Sequence, residues 1–316
     1  MISTLPKKYY RSLAPLLSPN VLNQDLSWPR VFGREAPLEL EIGFGNGEYL
    51  NRSSLERPEN DFVGLEIAWP SLKRALRRLG NPKRTNVRLI CLPAIPALTL
   101  YFPLESLTLA RALFPVPWPR EAQSKKRIFS RPFLDLLASR LKPQGIFHLV
   151  TDNLTLAEWI VSEAKDSFLK IVVHEKQAVL NTKYERKWQS LGQAKFYHLE
   201  GTKIGNPECP PLEPVVMHPQ FLNNFSPLNF QPPTQTGEIT ILFRELIFDQ
   251  NKKIALLKTK VVEGLLGGTE APFIQEFFIR ISQQPDGRWK LFPELSHLLF
   301  PTQGVQMALE LAASEK

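Results

Sequence analysis

The sequence predicts an α/β protein with an open, largely parallel sheet, followed by a small C-terminal antiparallel β plus helix domain. The first part of this prediction rests on short apolar runs that alternate with helix-like stretches between residues 38 and 175. Such alternation is typical of a parallel sheet with helices on both faces. The second part rests on four strand-like runs after residue 233, separated by turn signals. In sheets of the first kind, ligands bind at the carboxyl ends of the strands.

The elements of the first domain follow from these runs in order. Strand-like runs cover residues 38–42, 62–67, 87–92, 107–113 and 146–150, and helix-like stretches cover residues 45–55, 70–79, 131–141 and 154–168. Pro70 stands in the first turn of the second helix, where the missing N–H of proline costs no hydrogen bond.

The remainder of the chain has a different pattern. Residues 206–233 contain eight prolines, which is typical of a linker or of an extended tract packed on a surface. Strand-like runs then cover residues 238–249, 254–265, 272–283 and 288–292, with hairpin turns at 250–253 and 285–287 and a helix at 303–313. We therefore expect a first domain over residues 1–205, a Pro-rich linker over 206–233 and an α+β extension over 234–316. The extension carries no catalytic motif.

The composition argues against a membrane-spanning or secreted protein. No apolar run approaches the roughly 20 residues that a transmembrane helix needs, and the first 11 residues hold no signal-peptide core. Cys91 and Cys209 are far apart and, like the five histidines, fit no metal-ligand spacing. The two cysteines are most simply free thiols in a reducing compartment. We therefore expect a cytoplasmic protein without a bound metal.

Positive charge is concentrated in the first two thirds of the chain. Residues 1–210 hold 30 Lys and Arg against 20 Asp and Glu, whereas residues 211–316 hold 9 against 11. Seven basic residues and no acid lie between Pro70 and Arg88, and four of them are spaced along the predicted helix at 70–79. Such a cluster attracts phosphates, although a solvated helix face has the same composition.

A glycine-rich turn follows the first predicted strand. Gly43, Gly45 and Gly47 come directly after Glu41, and glycines at such a turn let the backbone approach a ligand closely. Glu66 ends the second predicted strand, where a carboxylate can accept hydrogen bonds from ribose hydroxyls. The G-x-G-x-G spacing differs from the G-x-G-x-x-G that binds a pyrophosphate. It therefore favours S-adenosylmethionine over a nicotinamide dinucleotide; a turn with a purely structural role is the alternative.

A stiff loop follows the predicted strand at 107–113. Three prolines and a tryptophan stand within Phe114-Pro115-Val116-Pro117-Trp118-Pro119, and proline rings restrict the backbone. Such a loop can hold groups still near a site, or Trp118 can simply pack beneath it. A basic cluster comes next, made of Arg120, Lys125, Lys126, Arg127 and Arg131.

Taken together, these motifs resemble those of the bacterial tRNA (guanine-N7)-methyltransferase family, which has the Rossmann-like class I methyltransferase fold. The resemblance runs from residue 38 to 200, about half of the chain. The similar segments are residues 40–47 (the cofactor loop), 61–66 (the second strand and ribose-binding acid), 114–118 (the F-P-D-P-W loop), 125–127 (the basic run), 148–152 (a strand that ends in T-D beside the guanine) and 182–186 (the T-K-F-E-x-R substrate motif).

The resemblance implies S-adenosylmethionine as the cofactor, tRNA as the partner and methyl transfer to guanine N7 as the activity. It assigns cofactor binding to Glu41, Gly43, Gly45 and Glu66, and substrate binding to Arg120, Lys125, Lys126, Arg127, Asp152, Thr182, Lys183 and Glu185. Asp152 is also the candidate for a catalytic charge.

The chain departs from the family pattern at four positions. Val116 replaces the Asp of F-P-D-P-W, which is the family's catalytic acid, and Pro93 replaces an Asp that contacts the adenine. Arg120 stands where the family has a lysine, and Lys187 where it has a glycine after the substrate motif. Two other functions therefore stay open: a tRNA-binding protein with the methyltransferase fold but weakened transfer, and a methyltransferase with another substrate. Asp152 as a helix N-cap, and residues 182–186 as an ordinary polar loop, are the alternatives for the site residues.

Overall fold

A computed structural model describes residues 13–17, 27–79, 84–120, 122–123, 127–193, 195–209, 215–265, 272–294 and 299–314. The described residues up to 209 form one compact unit, and those from 215 onward form another. None of the helices in these ranges is long and apolar enough to cross a membrane.

The first unit is built on a seven-stranded sheet with the order β3-β2-β1-β4-β5-β7-β6. Its strands are β1 (Leu38–Ile42), β2 (Asp61–Leu65), β3 (Val87–Ile90), β4 (Leu107–Leu113), β5 (Leu141–Thr151), β6 (Leu169–Lys176) and β7 (Phe196–Lys203). β7 runs antiparallel to both of its neighbours, whereas the pairs of β1 with β2, β1 with β4, β2 with β3 and β4 with β5 are parallel. The predicted α/β class with a largely parallel sheet is confirmed.

Helices connect the strands of this sheet. They are α1 (Trp28–Phe32), α2 (Glu48–Glu56), α3 (Trp69–Leu79), α4 (Ala94–Tyr101), α5 (Arg131–Arg140), α6 (Leu154–Ala164) and α7 (Lys183–Ser190). The residues of β1 and β2 are buried throughout, as expected for parallel strands covered on both faces. The carboxyl ends of β1 to β5 consequently meet at one edge of the sheet.

Close packing fixes the turn from β1 into α2. Gly47 has a φ of +69° and is the N-cap of α2. A Cβ atom on Gly47 would lie 2.8 Å from the Cβ of Ala75 in α3. Only glycine allows the two helices to approach this closely, and the left-handed backbone conformation independently favours it.

The second unit is a five-stranded antiparallel sheet with one helix. Its strands, in the order β8-β12-β11-β10-β9, are β8 (Gln220–Leu222), β9 (Thr240–Asp249), β10 (Ile254–Leu265), β11 (Pro272–Gln283) and β12 (Trp289–Pro293), and its helix is α8 (Gln303–Ala313). Apolar side chains of the sheet and of α8 form its core. Strand β8 and the buried Phe230 belong to the segment expected as a linker, so part of that segment is packed into this unit.

Several elements have no clear sequence signal. Helix α4 is buried on almost every side and contains Pro96, so it lacks the polar face that makes a helix visible in a sequence. Strand β5 begins at Leu141, five residues before the predicted start, and most of the added residues are exposed. Strands β6 and β7 and helix α7 were not predicted. β6 is mostly exposed, which hides the alternation that an amphipathic strand shows.

The packing of Gly47 gives a test of the turn. We expect Gly47→Ala to destabilise the protein by more than Gly192→Ala, which also has a positive φ but has open space around the Cβ position. The left-handed backbone conformation costs about 1–2 kcal/mol in both variants. Overpacking against Ala75 adds about 1–3 kcal/mol at Gly47 alone. Urea unfolding followed by circular dichroism measures the difference, and equal losses of stability would contradict the close contact.

Candidate active site

The predicted site residues lie at the carboxyl edge of the first sheet. The glycine-rich turn follows β1, Glu66 follows β2 and Pro93 lies three residues after β3. The proline-tryptophan loop follows β4, and Asp152 follows β5. Motifs up to 110 residues apart in the chain therefore share one edge, which is where open α/β sheets bind ligands.

The glycine-rich turn leaves room for a ligand. Gly43 and Gly45 have φ values of +71° and +57°, and a Cβ atom at either position would meet no other atom within 4 Å. The amide of Gly43 donates to the carbonyl of Leu65, at 2.8 Å, and so ties the turn to the end of β2. The turn is therefore fixed at its base and open above Gly43 and Gly45.

Glu66 is held in place by backbone amides. Its Oε2 accepts from the amide of Gly45 at 2.9 Å, and its Oε1 accepts from the amides of Ile67 and Ala68, each at 2.9 Å. These bonds orient the carboxylate beside the glycine-rich turn. Each carboxylate oxygen has about two acceptor positions, so Oε2 can also accept a bond from a ligand hydroxyl.

Glu41 is a buried carboxyl with an unsatisfied oxygen. The residue is 5% exposed, and its Oε2 has no hydrogen-bond partner in the described structure. Burial, with a smaller contribution from Glu66, raises its pKa to about 8, against the opposing charges of Arg111 and Arg52. A buried polar atom without a partner is costly, and a ligand that carries a cation or N–H donors would satisfy it.

A row of polar side chains continues from Glu41 across the sheet. Arg111 of β4 stands opposite Glu41 in β1 and opposite His148 in β5. Its Nε donates to Nδ1 of His148 at 3.2 Å, and its Nη1 donates to the hydroxyl of Tyr49. Nε2 of His148 lies 3.3 Å from Nδ1 of His198. Burial and the nearby cation lower the pKa of His148 to about 3, so this histidine is neutral.

No role was predicted for Arg111 or for the histidines. The contacts between them depend on strand register. Arg111 and His148 are 37 residues apart and lie side by side only once β4 pairs with β5.

Phe114 anchors the start of the proline-tryptophan loop against β5 and two aromatic rings. Phe114 has a φ of +53°, and its amide donates to the carbonyl of Val150 at 2.7 Å. Its ring lies 6.1 Å from that of Tyr184 and 5.7 Å from that of Phe196. Val116 is 61% exposed, so an acidic side chain at this position would have room.

The carbonyl of Trp118 fixes the end of this loop. It accepts from Nε and Nη2 of Arg127 at 3.2 and 3.1 Å. The guanidinium of Arg127 also lies 5.3 Å from the centre of the Trp159 ring. Arg127 thus supports the loop directly. Arg120 is exposed, whereas Lys125 and Lys126 lie outside the described residues.

Asp152 is not the cap of the helix that follows it. The N-cap of α6 is Asn153, whose side chain accepts from the amide of Leu156 at 2.7 Å. The alternative interpretation of Asp152 as an N-cap is therefore wrong. Within the described part of the chain, its carboxylate has neither a hydrogen bond nor an ion pair. Because Leu113 pairs with Val150, Asp152 stands at the level of the loop that carries Val116.

Residues 182–186 begin a helix. Thr182 is the N-cap of α7 and forms a capping box with Glu185. Glu185 is 0% exposed, and its carboxylate accepts from the amides of Val179, Leu180 and Thr182, each at 3.1 Å. A direct contact with a ligand does not fit this geometry, so Glu185 orders the loop before α7. The T-x-x-E spacing is the sequence signal of a capping box.

A clamp joins this segment to the helix that follows the glycine-rich turn. The carboxylate of Glu48 accepts from the amide of Lys183 at 3.1 Å and forms an ion pair with Arg186 at 2.7 Å. Arg52 donates to the carbonyl of Leu180. Nothing in the sequence predicted a role for Glu48, because its partners are more than 130 residues away.

The raised pKa of Glu41 gives a pH test. Above its ordinary pKa of 4.5 the carboxyl ionises in the unfolded chain, whereas the folded protein keeps the proton up to about pH 8. Stability therefore falls as the pH rises through this window. We expect the unfolding free energy of wild type to fall by an amount on the order of 4 kcal/mol between pH 5 and pH 9, at 1.36 kcal/mol for each pKa unit. Glu41→Gln should not show this decrease, because its side chain does not titrate. Unfolding free energies at both pH values measure this. Glu59→Gln at an exposed site is the control, and parallel curves for wild type and Glu41→Gln would refute the buried neutral carboxyl.

Comparisons with known proteins agree on the family. A family model described as "Putative methyltransferase" matches residues 35–198. A tRNA (guanine-N(7)-)-methyltransferase from Thermotoga maritima is 30% identical over 281 residues, which cover 84% of this chain and 85% of that protein. A protein of the same name from Escherichia coli O6:K15:H31 is 38% identical over 144 residues, 46% of this chain and 60% of its own length.

The solved structure of an antibiotic-related methyltransferase is a more distant match. It has 18% sequence identity and a TM-score of 0.45, with 59% of this chain and 100% of that chain covered. The family assignment rests on the sequence relatives. The chain belongs to the tRNA (guanine-N7)-methyltransferase family.

Proposed function

We propose that this protein transfers a methyl group from S-adenosylmethionine to N7 of a guanine in tRNA. The observation that carries the proposal is the meeting of three features at one sheet edge. They are the open turn at Gly43 and Gly45, the oriented carboxylate of Glu66 and the carboxylate of Asp152 without a partner in the described structure. The relatives named tRNA (guanine-N(7)-)-methyltransferase support the same reaction.

The residues present fit the cofactor. Gly43 and Gly45 leave space next to the backbone, and Glu66 offers an acceptor of the kind that binds ribose hydroxyls. The unsatisfied Oε2 of Glu41 suits the ammonium group of the methionine part. The bound cofactor supplies an electrophilic methyl group on a sulfonium.

Guanine N7 needs no general base, because it carries a lone pair and no proton. The protein therefore accelerates the reaction by positioning and by electrostatics. Positive charge develops on the purine during transfer, so a carboxylate near the ring stabilises the transition state. Asp152 is placed to supply this charge, at the level of the loop after β4.

Val116 and Pro93, which stand where the family has acids, lower the expected transfer rate and the expected affinity for the cofactor. Val116 removes one carboxylate from the loop, and the loss of such a charge costs roughly a hundredfold in rate. Pro93 has neither a side-chain acceptor nor a backbone N–H, and it replaces the acid that the family uses at the adenine. The second loss weakens cofactor binding by about 1–3 kcal/mol. We infer slow transfer that depends on Asp152.

Most of the residues assigned to tRNA binding are basic. Arg120, Lys125, Lys126, Arg127 and Lys183 are assigned to the tRNA backbone, and Thr182 and Glu185 act indirectly by ordering the loop before α7. Charged contacts of this kind make binding to tRNA sensitive to salt.

We assign catalysis to residues 1–205, with 234–316 as an α+β extension. The free thiols of Cys91 and Cys209 support a cytoplasmic location.

Val116→Asp tests whether the missing charge limits the rate. We expect a gain in kcat of roughly 100-fold, because the carboxylate would face the developing positive charge. Transfer of a labelled methyl group to total tRNA measures it. Val216→Asp is the matched control, since this valine is also exposed and lies in the second unit. An unchanged rate for Val116→Asp would show that the loop does not approach the guanine.

Asp152→Asn tests the remaining carboxylate. The change keeps the size and removes the charge, so kcat should fall roughly 100-fold with little change in the affinity for S-adenosylmethionine. Asp166→Asn, an exposed acid of the same unit, is the control. Retention of full activity would exclude Asp152 from the reaction.

The two substitutions at Val116 and Pro93 favour one alternative, a tRNA-binding protein with the same fold and little transfer. Calorimetry with S-adenosylmethionine and tRNA in separate titrations distinguishes the two functions. Tight binding of tRNA without binding of the cofactor would support the alternative.

A further inference from the structure

Helix α3 presents a face of four cations. Lys73, Arg74, Arg77 and Arg78 are exposed. The opposite face of the helix, made of Leu72, Ala75, Leu76 and Leu79, is fully buried. The apolar face fixes the orientation of the helix, and so the four cations point outward together. We call Lys73, Arg74, Arg77 and Arg78 the α3 cation face.

The α3 cation face has no counter-charge of its own. The sequence contains no acid between Glu66 and Glu105. Within the described residues none of the four cations forms an ion pair, and the one hydrogen bond of their side chains joins Arg74 to the hydroxyl of Ser71. Like charges one helical turn apart destabilise a helix. An external anion would remove this repulsion.

The α3 cation face is continuous with the segment expected to meet the substrate. Partial burial opposes ionisation of Glu48, but the bond and charge of Arg186, with a smaller contribution from Arg78, lower the pKa of that carboxyl overall. Glu48 directly follows Gly47, which packs against Ala75 of α3, and its carboxylate pairs with Arg186 of α7; the start of α2 thus lies between α3 and α7. Lys183, Arg186 and Lys187 are all exposed on α7. A basic surface therefore extends from α3 to α7, and α7 carries Tyr184, which stacks on the loop after β4.

We propose that the α3 cation face binds the sugar-phosphate backbone of tRNA outside the guanine pocket. This inference rests on the proposed function. The pairs Lys73 with Arg77 and Arg74 with Arg78 are each separated by about 6 Å along the helix axis, so the face is an extended row that suits a chain of phosphates. The apolar side of α3 is buried in the core and is not available to insert into a membrane, which an interfacial helix requires.

The test neutralises the α3 cation face by Lys73→Gln, Arg74→Gln, Arg77→Gln and Arg78→Gln together. The control is Arg30→Gln, Lys142→Gln, Lys165→Gln and Lys170→Gln, four exposed cations of the same unit. They lie next to the amino ends of β1, β5 and β6, away from the site edge. Both variants lose the same net charge, so only the position of the charge differs.

Affinity for tRNA is measured by fluorescence anisotropy between about 50 and 200 mM salt, a range over which binding to phosphates weakens steeply. We expect the α3 variant to bind about tenfold more weakly or worse. The slope of log K against log salt should fall by about 0.7–0.9 for each phosphate that the variant no longer neutralises. The control should keep nearly the full slope. Thermal unfolding shows whether each variant is folded, and the two half-variants, Lys73→Gln with Arg77→Gln and Arg74→Gln with Arg78→Gln, should give intermediate slopes.

Two outcomes would overturn the inference. One is an α3 variant with the slope of wild type, and the other is an equal loss of affinity in the α3 variant and the control, which would indicate a general charge effect. If wild type methylates tRNA in either case, the inference alone fails. If wild type neither binds nor methylates tRNA, the proposed function fails as well.

Discussion

The contact between Gly47 and Ala75 is the constraint on which the rest of the site depends. It allows α2 and α3 to pack closely, with a spacing that any side chain at Gly47 would prevent. The turn that results brings the amide of Gly45 to Glu66 and places Glu48 at the start of α2. The same packing buries the apolar side of α3 and turns its cations outward. One steric condition thus organises the cofactor turn, the clamp to α7 and the basic surface.

Burial of polar groups distinguishes the interior of this sheet from an ordinary apolar core. Glu41, Arg111 and His148 lie on adjacent strands, and the charge of Arg111 acts on both of its neighbours. A neutral carboxyl at Glu41 avoids the cost of a buried anion that only nearby arginines oppose. A cationic ligand would reverse this balance and favour the ionised form. Binding of such a ligand would therefore release a proton, in the same pH range in which ionisation of Glu41 lowers the stability of the protein.

The loop after β4 keeps the prolines and the tryptophan of the family's F-P-D-P-W pattern but has valine in place of its aspartate. Phe114 stacks on Tyr184 and meets Phe196 edge to face, and Arg127 bonds to the carbonyl of Trp118; these contacts hold the backbone without any contribution from residue 116. The fold of the loop and its chemistry are therefore separable. This is why valine can stand at position 116 while the surrounding geometry persists.

The sequence alone determined the elements whose pattern is local. It indicated the bounds of β1, β4, β10 and β11 and of α8, because apolar runs and turn residues mark them. It also located the glycine-rich turn, Glu66 and Asp152, because these motifs are short and adjacent to strands. Helix α4 and strands β6 and β7 left little signal, since one is buried on nearly every side and the others depend on pairing between distant segments.

Only the tertiary structure decided which side chains meet. It placed Glu48 against Arg186, Arg111 against His148 and the cations of α3 on one open surface. It also showed that the carboxylate of Glu185 accepts hydrogen bonds from the backbone of the loop before α7. The physical reason is that strand register and helix packing set these contacts over more than 30 residues, whereas a sequence motif reports only on its neighbours. Site residues within one short motif can therefore be predicted from the sequence, whereas contacts between residues on different strands or helices can be identified only from the tertiary structure.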